Sequence, residues 1–337
     1  MASENSGRFV SLDGWRGVSI LLVLAAHLLP LGPRAWQLNL AAGMAGMALF
    51  FTLSGFLVTQ LLLRQPSTTD FLLRRLFRIV PLAWAYMLLV LLANPAPLAV
   101  WLAHFLFYAN VPPQPLLPDT EHLWSLCVEM QFYAGVALLY FLSKRRGLLL
   151  LPLLCVGITL LRVFHGVPYS SVTWYRIDEI LAGSALALIN ALPACARLRA
   201  ALQPIHTLWI LPLLLLSCHP AGGYIDYLRP YAATLLVGST LLNPQSRLTS
   251  ALNNRALVYI ASISYALYVL HPALAHSWFG NGDEIEKYAK RPLLFVLLFL
   301  LAHVSTRCFE QPGINFGKRL AQRWQSHFVA TQTVFGK

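Results

Sequence analysis

Long apolar stretches, separated by short polar segments, occupy almost the whole chain. A helix that crosses a bilayer needs about 20 predominantly apolar residues. Ten stretches approach that requirement, although several are short or contain proline: 18–31, 41–63, 79–92, 123–142, 148–164, 177–192, 207–218, 231–242, 257–275 and 292–308. An eleventh stretch, 98–108, is too short to cross and is predicted to lie at the interface or to re-enter. The pattern predicts an all-α polytopic membrane protein with about ten transmembrane helices.

Composition agrees with this interpretation. Of the 337 residues, 57% are hydrophobic and only 11% are charged, whereas soluble domains carry about 25% charged residues. A water-facing surface cannot be built from so few charges, which excludes a soluble globular protein and a disordered one. The predicted spans leave little chain for a second domain. We therefore predict a single membrane domain over 1–337, with a core at about 8–320 and a basic cytoplasmic tail at 321–337.

The net charge of +12 would suggest a nucleic-acid ligand in a soluble protein. In a membrane protein, Lys and Arg concentrate in the cytoplasmic loops. If the N-terminus is cytoplasmic and the ten stretches alternate, 18 of the 25 Lys and Arg fall on the cytoplasmic side. We therefore expect both termini inside, in a bacterial cytoplasmic (inner) membrane, with the lipid bilayer rather than nucleic acid as the partner.

The five cysteines have neither metal-ligand nor redox spacing, so no metal site is predicted and they are interpreted as small packing residues. Charged groups inside membrane segments, by contrast, are candidate functional residues because burying them in lipid is expensive. The candidates are Arg16, His27, Glu129, Arg176, Asp178 and His271, together with Arg74, Arg75 and Arg78 at the entrance to a span.

Helical geometry suggests how these groups meet. Arg16 and His27 are eleven residues apart, which places them on one helix face about 16 Å apart along the axis. Glu129 lies about 10 Å beyond His122, a depth similar to that expected for His27, His271 and Asp178. An imidazole beside a carboxylate is suited to general acid–base chemistry. Two alternatives are satisfied structural polar groups and the proton relay of a transporter.

Several motifs occur in an order that resembles the acyltransferase-3 family of integral-membrane O-acyltransferases. They are Ser11-Leu12-Asp13-Gly14-Trp15-Arg16-Gly17 followed by His27, Phe50-Phe51-Thr52-Leu53-Ser54-Gly55-Phe56, the basic run from Arg74 to Pro81, the block from His122 to Tyr133, Arg176-Ile177-Asp178, the segment from Ser264-Tyr265 to His271-Pro272, and Glu310-Gln311-Pro312. Met130 is a departure, because the family often has a second carboxylate there. Glu129 is thus the only acid at this position.

The resemblance implies an intramembrane catalytic core, an acyl-CoA donor, no bound cofactor, and essential Arg and His residues in the first span. The implied acceptor is a hydroxyl of a cell-surface or secreted carbohydrate, such as lipopolysaccharide, exopolysaccharide or a glycolipid, and acetyl is the first expectation for the acyl group. Some relatives carry a soluble esterase-like domain after the last span, whereas this sequence ends at Lys337. This leaves open direct transfer or transfer through a separate periplasmic partner.

We assign expected roles within this scheme. His27 acts as general base or transient acyl carrier, and Glu129 orients or polarises it. Arg16 grips a CoA phosphate, a task that suits guanidinium groups. Arg75 and Arg78 are second candidates for phosphate, and an ordinary positive-inside cluster is the alternative.

The remaining candidates are predicted to bind substrate, and they are His122, Ser125, Arg176, Asp178 and His271. Ser54 and Gly55 are interpreted as residues that allow close helix packing rather than as a nucleophile. The competing functional class is a transporter or flippase of an acyl or glycan compound. Such proteins usually contain internal repeats, and we find none in this sequence.

Overall fold

The computed structural model describes residues 9–64, 67–113, 116–205 and 207–335, with side chains described through residue 323 except at 208. Over these ranges the chain is helical and contains no strand, as the sequence predicts. The α-helices, labelled α1 to α15 in chain order, are Val10–Leu28, Leu38–Arg64, Thr68–Ala93, Leu98–Phe105, Trp124–Leu148, Leu151–His165, Asp178–Ala191, Ala196–Leu202, Thr207–Cys218, Arg229–Leu242, Arg247–Leu252, Arg255–Ala275, Glu284–Ala289, Arg291–Ser305 and Gln311–Phe335.

Local sequence explains where several helices begin and end. Side chains that accept a backbone N–H at a helix start satisfy one of the unpaired donors there. Ser67 does this for α3 through the N–H of Asp70, and Asn254 does so for α12. Helix α6 ends at His165 and is followed by Gly166, whose φ of +65° is easily adopted only without a side chain. The boundaries of these helices therefore follow from short polar segments between apolar runs.

Every one of the ten predicted apolar stretches overlaps a helix, but the count of ten spans is not confirmed. Among the described residues, five helical segments are long and apolar enough to cross a membrane: Arg34–Arg64, Thr68–Ala93, Pro118–Leu148, Arg255–Ala275 and Arg291–Arg323. Helix α7 and the segment after it could form a sixth, broken span with a bend of 96°. Helices α6, α7, α9 and α10 have only 12 to 15 residues, fewer than a single crossing requires. The protein is therefore a multi-pass membrane protein, and the orientation of its termini stays a prediction.

Two clusters of buried apolar side chains form the interior. The larger lies among α1, α2, α3, α5, α6, α7, α12 and α14, and the smaller among α1, α2, α7, α9, α10 and α11. Helix α1 contributes to both because it packs between α2 and α12. Helix α1 is therefore flanked by other helices on two sides.

Helices α2 and α7 cross at two glycines. A Cβ atom at Gly55 would lie 1.8 Å from the carbonyl oxygen of Ile180, and one at Gly183 would lie 2.0 Å from the carbonyl oxygen of Thr52. Only glycine permits such a close approach of two backbones. This agrees with the interpretation of Gly55 as a packing residue.

The end of the described chain is helical. Residues 321–335 continue α15, which packs on α3 with the rings of Phe77 and Phe316 5.1 Å apart. Arg8 and Lys337, which belong to the predicted cytoplasmic charges, lie outside the described residues. The lipid contact predicted for the tail stays a prediction.

Candidate active site

One face of α1 lines a cavity with about 780 Å³ of space not filled by atoms, part of which is open to solvent. Arg16, Ser19, Ile20 and Val23 follow each other at helical spacing along this face. His27, four residues after Val23, continues the same face. The other walls come from α2, α3, α5 and α12, and the residues that they contribute are Met47, Phe50, Leu53, Ser54, Arg75, Arg78, Ile79, Ser125, Leu126, Glu129, Tyr133, Ser264, Tyr265 and Tyr268.

Three arginines give the cavity a positive wall. Arg16, Arg75 and Arg78 are partly buried and line it together, and in the described part of the chain none of the three forms an ion pair. Arg75 lies over the ring of Tyr133, 5.6 Å from its centroid. Neighbouring Arg74 instead binds Asp70, with Nε 2.8 Å from Oδ1. Three guanidinium groups in a largely enclosed space favour an anionic ligand.

Glu129 is the carboxylate of this cavity and is 5% exposed. The Ser54 hydroxyl donates to its Oε1 at 2.5 Å, and the Tyr133 hydroxyl donates to the same oxygen. Tyr133 lies four residues after Glu129, so both side chains are on one face of α5. Ser54 is therefore more than a packing residue, because its hydroxyl helps to hold Glu129. The spacing of four residues from Glu129 could have identified Tyr133 from the sequence.

A second polar group, formed by histidines, lies beyond the Val23 end of the cavity. Nδ1 of His27 is 2.7 Å from Nε2 of His271, and the two ring planes are within 23° of parallel with centroids 5.0 Å apart. His271 is fully buried, whereas His27 is exposed. The ring of buried His122 meets that of His271 edge-on at 5.4 Å. Within the described residues, no cluster of His, Cys, Asp and Glu side chains is arranged to hold a metal ion.

Tyr268 joins the cavity to the histidine group. Its hydroxyl lies 2.6 Å from Ser125 Oγ and donates to the carbonyl oxygen of His122. Its ring lies 5.9 Å from that of His271, between centroids. Sequence reasoning selected Ser125 and His271 but missed Tyr268. The signal was available, since Tyr268 lies three residues before His271 on α12 and so shares its face.

The expected direct contact between His27 and Glu129 is not formed. Glu129 binds Ser54 and Tyr133, whereas His27 contacts His271, which was expected at the same depth. Helix α1 begins at Val10, so Arg16 lies about 9 Å inside the helix rather than at its edge. His27 therefore reaches the far end of the helix, level with His122. Glu129 follows His122 by seven residues, which is about 10 Å along α5.

Arg176 and Asp178 belong to a different part of the molecule. Asp178 pairs with Arg162 at 2.5 Å, and Arg176 pairs with Glu179 at 3.2 Å. Arg229 joins the same network through Glu179 at 2.6 Å. All five side chains are at most 1% exposed, and none lines the cavity. Their predicted contact with substrate stays a prediction, while their ion pairs show that they connect helices.

Comparison with known proteins identifies the family of this chain. A family model described as an acyltransferase domain matches residues 9–306. The chain is 25% identical to a Staphylococcus aureus (strain MRSA252) protein named "Putative O-acetyltransferase", over 94% of this chain and 59% of that protein. It is 26% identical to the peptidoglycan O-acetyltransferase OatA of Listeria monocytogenes, over 90% of this chain and 55% of the relative.

The chain thus spans somewhat more than half the length of these relatives. A comparison with solved structures gave no significant match. The family match extends over every helix that lines the cavity, from α1 to α12. The chain therefore belongs to the acyltransferase-3 family.

Proposed function

We propose that this protein is an O-acetyltransferase of a bacterial cytoplasmic membrane. It transfers an acetyl group from cytoplasmic acetyl-CoA to a hydroxyl of a cell-surface or secreted carbohydrate. The name of the Listeria relative refers to peptidoglycan, so peptidoglycan joins lipopolysaccharide, exopolysaccharide and glycolipids as an acceptor to test. The observation that carries the proposal is the cavity along α1, which leads from three arginines toward an exposed imidazole.

The arginine end suits the nucleotide part of the donor. CoA carries several phosphate charges, and guanidinium groups bind phosphate through paired N–H donors. Arg16, Arg75 and Arg78 offer three such groups, while Glu129 contributes one opposing charge. We assign Glu129 the task of partly balancing these arginines before the donor binds, since like charges repel each other more strongly where they are buried. This replaces the role expected from sequence, in which Glu129 orients His27.

The histidine end suits proton transfer. The extended pantetheine arm of CoA would follow α1 past Val23 and bring the thioester toward His27. A nitrogen of His27 removes the proton from the acceptor hydroxyl, and the hydroxyl oxygen attacks the acetyl carbonyl carbon. The C–S bond then breaks, an O-acetyl ester forms, and the CoA thiolate takes the proton from His27. This scheme uses His27 as the base, with no acyl-enzyme.

The test is transfer of radiolabel from [1-¹⁴C]acetyl-CoA by purified protein in lipid nanodiscs. The acceptors are peptidoglycan fragments, lipopolysaccharide and glycolipid, and the product is label that mild alkali releases from the carbohydrate. We expect wild-type protein to label one of these acceptors and His27→Ala to lower the rate by at least about 10²-fold, the usual contribution of a general base.

The matched control is His303→Ala, because His303 lies on α14, away from the cavity lining, with Nδ1 2.9 Å from the Tyr259 hydroxyl oxygen. It should transfer at close to the wild-type rate. Wild-type rates from His27→Ala would refute the catalytic role of this residue. Label that crosses the membrane without becoming covalently attached would refute the transferase and indicate a transporter.

A further inference from the structure

Pro272 interrupts the backbone hydrogen bonds of α12 beside the histidine group. It lies inside the helix, and proline has no backbone N–H. In an α-helix the N–H of residue 272 would bind the carbonyl oxygen of residue 268. The carbonyl oxygen of Tyr268 therefore lacks its normal helical donor and must find another one.

The side chain of His271 supplies that donor. Its Nδ1 lies 2.7 Å from the Tyr268 carbonyl oxygen, and a carbonyl oxygen can only accept. Nδ1 of His271 therefore carries a proton. In a neutral imidazole one nitrogen donates and the other accepts, so Nε2 of His271 presents a lone pair.

This lone pair determines which ring nitrogen of His27 carries the proton. Nε2 of His271 is 2.7 Å from Nδ1 of His27, so Nδ1 of His27 must be the donor. The other nitrogen of a neutral His27, Nε2, is then unprotonated. The remaining histidine of the group does not compete, because neither nitrogen of His122 has a hydrogen-bond partner in the described structure.

We propose that His271, held by the carbonyl group that Pro272 leaves free, is a positioning residue that fixes the tautomer of His27. The hydrogen bond to the Tyr268 carbonyl oxygen keeps the proton of His271 on Nδ1, and the hydrogen bond from His27 to His271 then keeps the proton of His27 on Nδ1. Nε2 of His27 is thereby left unprotonated and can accept a proton from the acceptor hydroxyl. The catalytic value of this arrangement rests on the proposed function, whereas the tautomer itself does not.

The tautomer is measured directly by ¹⁵N NMR of histidine-labelled protein in nanodiscs, with the His27 signals assigned from their loss in His27→Ala. We expect neutral His27 to carry its proton on Nδ1. A proton on Nε2 of His27 would overturn the proposal, whatever the enzyme does. If wild-type protein showed no acetyl transfer, the proposed function would fail while this measurement still stood.

Two substitutions at His271 test the hydrogen bond in the reaction. His271→Gln keeps an oxygen acceptor for His27, and we expect kcat within about tenfold of wild type. His271→Leu removes the acceptor, and we expect kcat to fall about 10²-fold with the KM for acetyl-CoA within twofold. The matched control is His276→Leu, an exposed histidine whose partner is Asp119 at 2.6 Å. Equal rates for the Gln and Leu variants would overturn the proposal.

Pro272→Ala tests whether the missing backbone N–H at position 272 is responsible for the His27 tautomer, and it leaves both histidines in place. It restores a backbone N–H that competes with His271 for the Tyr268 carbonyl oxygen. We expect a mixture of His27 tautomers in the NMR spectrum and a severalfold loss of kcat. Pro212→Ala is the control, since Pro212 lies inside α9, away from the cavity. A Pro272→Ala variant with the wild-type tautomer and rate would contradict the proposed role of Pro272.

Discussion

Arg16 provides a sharp test of the anion site because it lies on the same helix as His27 but far from it. The substitution Arg16→Gln removes the charge and keeps a polar side chain of similar length. A hydrogen bond to a charged group contributes about 1.5–3 kcal/mol, and each 1.4 kcal/mol is tenfold in affinity. We therefore expect the KM for acetyl-CoA to rise roughly 10- to 100-fold.

The value of kcat should stay within about twofold, because Arg16 and His27 are about 16 Å apart along α1. The assay is the initial rate of acetyl transfer against donor concentration in nanodiscs, with acetyl-CoA and with S-acetyl-pantetheine. The second donor has no phosphate groups, so Arg16→Gln should leave its KM unchanged. That donor also shows whether the variant retains an intact catalytic core.

Arg74→Gln is the matched control, because Arg74 belongs to the same basic motif as Arg75 and Arg78 but pairs with Asp70 outside the cavity. It should alter the KM for either donor by less than threefold. An unchanged KM for acetyl-CoA in Arg16→Gln, or an equal rise for both donors, would refute the reasoning that Arg16 binds phosphate.

Three further predictions concern other parts of the structure. Gly183→Ala places a methyl group 2.0 Å from the α2 backbone, so the melting temperature in a thermal-shift assay should fall by several degrees, and no change would contradict the close crossing. Tyr133→Phe removes a donor to buried Glu129 and should lower transfer activity severalfold, whereas Tyr140→Phe on the same helix should not. Asp178→Asn leaves Arg162 buried without its charged partner, which costs about 3–5 kcal/mol. It should lower thermal stability while the folded fraction keeps its acceptor KM, and a raised KM with normal stability would support a substrate contact instead.

Local helical geometry accounts for much of what could be anticipated. The 3.6-residue period places Arg16 and His27 on one face of α1. In the structure that face lines the cavity from Arg16 to Val23, and His27 lies one turn beyond it. The motif positions identified Arg75, Arg78, Ser125, Glu129 and His271 as residues worth attention. The number of crossings was less predictable, because hydropathy marks an apolar helix but does not state whether it is long enough to cross alone.

The contacts between side chains of different helices could not be predicted from the sequence in the same way. The depth estimate treated each helix as beginning at the membrane edge, although α1 begins six residues before Arg16. Because of that offset, His27 does not lie level with Glu129 and contacts His271 instead. Likewise, nothing local distinguishes Arg176 and Asp178, which join a buried ion-pair network, from Arg75 and Arg78, which line the cavity.

The amino-acid sequence by itself determined that this chain is helical, lies in a membrane and carries ionisable side chains at costly positions, because these properties depend on composition and on spacing within one helix. The tertiary structure decided which of those side chains meet. Hydrogen bonds between α1 and α12, and between α2 and α5, depend on how far each helix is shifted along its neighbour and on its rotation. Those two quantities are set by contacts between residues up to 244 positions apart, which no local pattern encodes.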